Sequence, residues 1–131
     1  HPAIPTDEQR LLYNLAIENI EYNLALIKPG VGFREIGEKG WKIPDEYVKN
    51  RYPTPVHGMG MGDEWPMMRF PQDFEASGFD GVIEENMTLS VESYIGADGG
   101  MEGVKLEEQI LVTADGYQRL STFPWEAELL G

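Results

Sequence analysis

The chain contains no cysteine, which excludes disulfides and thiolate metal sites, so any metal bound here must sit on histidine and carboxylate ligands. Histidine is itself scarce: there are two in 131 residues, and one of them is His1. Basic residues are outnumbered, ten Lys plus Arg against 23 Asp plus Glu. The resulting net charge of −13 argues against nucleic-acid and membrane-surface partners, yet an acidic chain can still hold cations. No apolar run approaches the roughly 20 residues that a membrane span needs, and His1-Pro2-Ala3 lacks the basic and apolar regions of a signal peptide. The absence of cysteine is compatible with the cytoplasm, which is the expected location. An initiator methionine is also missing, so the sequence is expected to begin inside a longer protein. There is no internal repeat, low-complexity segment or linker, and 41% hydrophobic residues suffice for one core, so residues 1–131 are read as one domain.

What is present centres on one stretch, His57-Gly58-Met59-Gly60-Met61-Gly62-Asp63-Glu64-Trp65-Pro66. It sets the better-placed histidine beside two carboxylates, among glycines that let backbone pass close to a ligand or ion. The plain alternative is a glycine-rich turn carrying a surface histidine.

Thr6 and Gln9 fit a capping box that opens a helix running to Pro29-Gly30, with Leu12, Leu15, Ala16, Leu24 and Ile27 near one stripe and Asn19 and Asn23 mostly off it. A less regular helical stretch follows over 33–50, interrupted by Gly40 and Pro44. Pro53 and Pro55 impose an extended approach to His57, the start of a strand over 56–61. Residues 65–85 show no periodicity and read as an ordered loop covering something. Alternation predicts strands over 88–95, 103–113 and 117–121, the last two joined by an Ala114-Asp115-Gly116 hairpin, and then a short helical turn at 124–130. On alternation alone Glu108 is the residue that breaks an apolar face, and Glu107 is ordinary. Strands after helices indicate an α+β fold.

These motifs together resemble the second half of the catalytic domain of the creatinase, prolidase and methionine aminopeptidase family, the pita-bread fold. The resemblance runs through Pro5-Thr6-Asp7-Glu8-Gln9, Lys28-Pro29-Gly30, His57-Gly58-Met59-Gly60, Asn86 to Glu92, Gly103 to Glu108 and Asp115-Gly116-Tyr117. It implies half of a pita-bread domain, with helices packed on a curved, mainly antiparallel sheet. It also implies a centre of two divalent ions, Mn, Fe, Co or Zn, with His57, Glu92 and Glu107 as this chain's ligands and Glu107 in the bridging position. Resemblance thus selects Glu107 where alternation singles out Glu108. The family's two Asp ligands come from a strand before the first helix here, so the site is expected to be half present. The 131 residues alone are then expected to hold metal weakly, if at all, and to be inactive without the N-terminal half of the domain. Uncovered sheet surface would favour homo-oligomers.

Peptidases of the family follow the ligand histidine with a second His and a Glu before the proline. Here Asp63-Glu64-Trp65-Pro66 stands in that place, a version similar to that of dimethylsulfoniopropionate lyases and of some Xaa-Pro peptidase-like proteins. Resemblance to the lyases assigns Asp63 as catalytic base and places Tyr52 in the substrate pocket, with Trp65 as a further substrate contact. Three functions are therefore open. Family frequency puts a dinuclear hydrolase of short peptides with proline first; a C–S lyase and a non-catalytic half-domain are the alternatives.

Overall fold

Thr6 accepts the Gln9 N–H on its hydroxyl at 3.1 Å, and the Gln9 side chain takes the Thr6 N–H at 3.0 Å. This closes the expected capping box at the head of α1, Asp7–Leu24. The computed structural model describes residues 4–131, and the reading of His1-Pro2-Ala3 lies outside them. Leu12, Ala16, Ile20 and Leu24 form the buried stripe of α1. Asn19 and Asn23 are buried as well, each only 1% exposed, which corrects their placement off the stripe. The Asn23 amide donates to Asn19 Oδ1 at 2.8 Å, and its own Oδ1 accepts the Trp41 N–H at 2.9 Å. Buried polar groups need such partners, and this pair ties α1 to the chain that follows α2, Phe33–Lys39.

The helical stretch expected over 33–50 is two helices, α2 and α3, Asp45–Val48. Gly40 ends the first in a non-helical conformation, and Pro44 is the N-cap of the second. Five strands follow: β1 Val56–Gly58, β2 Met67–Met68, β3 Thr88–Ile95, β4 Val104–Thr113 and β5 Gly116–Arg119. They form one antiparallel sheet in the order β2-β1-β3-β4-β5. The aperiodic stretch 65–85 holds β2 and a helix, α4 Pro71–Ser77, neither of which was expected. Residues 124–130 make only a turn.

α1 lies against β3 and β4. Val56, Leu89, Val91, Ile110 and Val112 join Ile20, Leu24 and Ile27 in the core. Each such side chain stabilises the fold by about 1.5–3 kcal/mol, so this face of the sheet is committed to packing. Polar residues with chemistry are thereby left to the opposite face. Among the described residues no helix is long and apolar enough to cross a membrane.

Gly58 shows how the loop after β1 is held. Its N–H donates to the Pro66 carbonyl at 2.7 Å, and a Cβ placed on it would lie 1.9 Å from the Trp65 carbonyl oxygen. Gly58→Ala is therefore expected to destabilise the fold by about 2–3 kcal/mol, because the obstacle is backbone and must itself move. The shift in the urea midpoint reads this out; a loss under about 0.5 kcal/mol would mean that the loop rearranges freely.

Candidate metal centre

Register puts the cluster together. His57 on β1 pairs with Ser90 on β3, while Glu92, two residues along β3 and on the same face, sits directly opposite Glu107 on β4. One ligand atom from each of His57, Glu92 and Glu107 lies within 4.8 Å of the other two. His57 and Glu92 are buried, and Glu107 is exposed. His57 Nδ1 is 2.7 Å from the Gly58 carbonyl oxygen, to which it donates, and this turns Nε2 towards the cluster, 3.1 Å from Glu92 Oε1. Lys105 Nζ reaches the same oxygen at 3.2 Å, and the Ser90 hydroxyl donates to Glu107 Oε1.

Two features of this arrangement fit a divalent ion. Glu92 Oε2 is buried without a hydrogen-bond partner, and two carboxylates face each other across the ladder, a like-charge pair of which only Glu92 meets an ammonium, that of Lys105, among the described residues. Imidazole and carboxylate donors suit Mn, Fe, Co or Zn, as the resemblance implies. Burial alone would lower the His57 pKa, but the bonds to Gly58 and Glu92 and the charges of Glu92 and Glu64 outweigh it and hold the imidazole above its ordinary range. A proton on Nε2 competes with a metal for the same lone pair.

The glutamate that breaks the alternation, Glu108, belongs to the core side of β4. It is 6% exposed, and Arg119 Nη1 lies 3.6 Å away while that guanidinium also grips Glu21 through Nη2 at 2.6 Å to both oxygens. Desolvation pushes its pKa up, only partly opposed by Arg119. A folded-state pKa above the unfolded value means that stability is fully present below the unfolded pKa and is lost as pH rises through the folded one. Glu108→Gln is accordingly expected to raise stability at neutral pH and to have no such effect below the ordinary glutamate pKa. Urea midpoints at the two pH values would show this, and equal shifts at both would assign the gain to packing instead.

Tyr52 stands beside the cluster. The Lys105 ammonium lies 4.6 Å from the centre of its ring, and its hydroxyl donates to Glu64 at 3.1 and 3.2 Å. Desolvation first, then the Glu64 bond and the charges of Glu92 and Glu64, push the phenol up to about 12, so it is a donor and not a base near neutral pH. Asp63 does not join the cluster. It is exposed, its backbone is left-handed at φ 57°, and its carboxylate makes no hydrogen bond among the described residues. Trp65 is 60% exposed and stacks on Phe79, with ring centroids 4.1 Å apart. Sequence reasoning missed Lys105 and Ser90, and it named Glu64 only as one of the two carboxylates of the 57–66 stretch. Lys105 and Ser90 each lie two residues from a cluster glutamate, so period-two alternation carried the signal for both.

The family profile described as metallopeptidase family M24 matches residues 3–114. Dimethylsulfoniopropionate lyase DddP from Roseovarius nubinhibens is 35% identical over 129 residues, 98% of this chain and 29% of the lyase. The Xaa-Pro dipeptidase of Pyrococcus furiosus is 31% identical over 131 residues, 96% of this chain and 34% of that enzyme. Among solved structures, the Xaa-Pro dipeptidase from Bacillus anthracis superposes with a TM-score of 0.71 at 29% identity, over 93% of this chain and 33% of its own. The chain thus spans about a third of the length of the relatives it matches. With helices on an antiparallel sheet in the pita-bread arrangement and a histidine and two glutamates drawn together on its polar face, the chain belongs to metallopeptidase family M24.

Proposed function

We propose that the complete domain is a metal-dependent lyase that cleaves the C–S bond of dimethylsulfoniopropionate or a close analogue. The observation that carries this reading is the single imidazole at the centre: His57 is the one histidine among the described residues, and Asp63-Glu64 stands where peptidases of the family have a second. The greater identity to the lyase than to the dipeptidase supports it. His57, Glu92 and Glu107 would be this chain's ligands. Bound divalent ions would supply a positive field that acidifies the substrate carbon next to its carboxylate.

Asp63 takes the proton from that carbon. The C–H electron pair becomes the new double bond, and the C–S pair leaves with dimethyl sulfide, giving acrylate. Asp63 then returns its proton to solvent. Glu64 is engaged by the Tyr52 hydroxyl, whereas the exposed Asp63 carboxylate makes no hydrogen bond among the described residues. Tyr52, kept protonated, commits its one O–H to Glu64 and lines the space beside the cluster with its ring.

A second reading, hydrolysis of Xaa-Pro dipeptides, is favoured by the dipeptidase relatives in sequence and structure. The full-length protein loaded with manganese or iron, offered dimethylsulfoniopropionate and glycyl-proline in parallel, separates the two. Dimethyl sulfide without free proline supports the lyase; free proline without dimethyl sulfide overturns it in favour of the peptidase.

A further inference from the structure

Lys105 stands two residues before Glu107 on β4, so its side chain leaves the sheet on the face of the cluster. Its partner across the ladder is Tyr94, which makes Glu92 a diagonal neighbour within reach of a long side chain. Lys105 Nζ lies 3.2 Å from Glu92 Oε1, the oxygen that His57 Nε2 also approaches, at 3.1 Å. Glu92 Oε2 has no partner. Ammonium and imidazole therefore crowd one oxygen of a carboxylate whose other oxygen is spare. The two ends of this ion pair are unlike, for the Glu92 side chain is 3% exposed and that of Lys105 is 47% exposed. The carboxylate is held in the sheet; the ammonium is the end that can leave. It also has a second place to rest, against the Tyr52 ring, whose centre is 4.6 Å from Nζ.

We propose that Lys105 is a tethered rival of the divalent ion, competing for the Glu92 carboxylate and so holding the affinity of the His57–Glu92–Glu107 centre low enough for its metal to exchange. An ion bound by His57 and Glu92 would lie within a few ångströms of the ammonium, on a buried ligand where like charges are poorly screened. Binding must then displace Lys105 from Glu92 or bear its repulsion. A lysine suits this role better than an arginine, since one ammonium on a flexible stem lets go more readily than a planar fork that grips a carboxylate through two bonds. The inference rests on the cluster as a metal centre, whichever reaction that centre runs.

The test strips the full-length protein with chelator, titrates it with Mn²⁺ while the unbound ion is read by EPR, and times the loss of bound Mn²⁺ to excess EDTA. Lys105→Met keeps an apolar stem beside the Tyr52 ring and removes the charge. It should tighten Mn²⁺ by about 10–100-fold, the scale on which neighbours of metal ligands act, and slow its loss by a similar factor. Lys105→Arg should bind Mn²⁺ no more tightly than the unaltered protein. The stripped Lys105→Met protein should change in the opposite direction, with a lower urea midpoint, because Glu92 has then lost its cation. The reversed order, weakest binding in Lys105→Met and recovery in Lys105→Arg, would make Lys105 a positioner of Glu92 for the ion and overturn the proposal. Equal affinities in all three proteins, or an unchanged midpoint in chelator, would make it an ordinary surface pair and overturn it as well. Failure of every variant to bind Mn²⁺ would overturn the centre itself. The expected order of affinities without release of dimethyl sulfide would overturn the lyase reaction and leave the rivalry standing.

Discussion

Glu107→Gln in the full-length protein is expected to act in opposite directions on two states. Turnover should fall by about 10³-fold or more in kcat/KM, since even outer partners of metal ligands are worth 10–100-fold and Glu107 is proposed as a ligand itself. The metal-free protein should at the same time gain roughly 0.2–1 kcal/mol, because Glu92 and Glu107 face each other directly across the ladder and glutamine ends that repulsion. Glutamine keeps an oxygen for the Ser90 hydroxyl, so that contact survives. Metal content after dialysis, with urea unfolding in chelator, measures both effects. Retained metal and full activity would remove Glu107 from the centre, and a less stable metal-free variant would make it chiefly a partner of Ser90.

The second large effect is expected at Asp63. Asp63→Asn should lower lyase activity by about 10²-fold or more, the scale usual for a general base, with metal content nearly unchanged. Positive φ at this residue supplies a control. Asparagine and glycine both tolerate the left-handed conformation, so Asp63→Asn and Asp63→Gly keep the loop shape and differ in what replaces the carboxylate. Equal losses in the two variants would point to the missing base. A loss under about tenfold on the true substrate would mean that Asp63 merely forms the turn. Glu64→Gln is the useful companion, since Glu64 and not Asp63 holds the Tyr52 hydroxyl. A greater loss there would move the base by one residue.

The long elements were legible because their patterns are strong: a capping box starts α1, and strict alternation marks β3 and β4. The capped helix and the alternating strands needed nothing outside the sequence, but the choice of Glu107 over Glu108 did. Alternation marks the carboxylate that is out of place, and Glu108 is out of place because it lies under Arg119, not because it serves the site. A ligand glutamate on a polar face looks like any solvated residue. β2 is two residues long, too short for a period to show, and α4 depends on Pro71 opening it and Phe74 anchoring it. Asn19 and Asn23 misled for a different reason: polarity was read as exposure, whereas these amides serve each other and the Trp41 backbone inside the core.

The adjacent pair Glu107-Glu108 carries one more consequence. If β4 slipped by one residue against β3, Glu108 would face Glu92, and the cluster would still be offered two glutamates and a histidine. The ligands are therefore indifferent to which glutamate they receive. Leu106, Ile110 and Val112 are not, because the same slip would turn them out to water and press Lys105, Glu107 and Gln109 against α1. The two-residue turn at Ala114-Asp115, which pairs Thr113 with Gly116, anchors β4 from its other end. Hydrocarbon on the far side of the sheet thus selects the carboxylate presented on the near side, and a core mutation in β4 can misassemble the candidate centre without touching His57, Glu92 or Glu107.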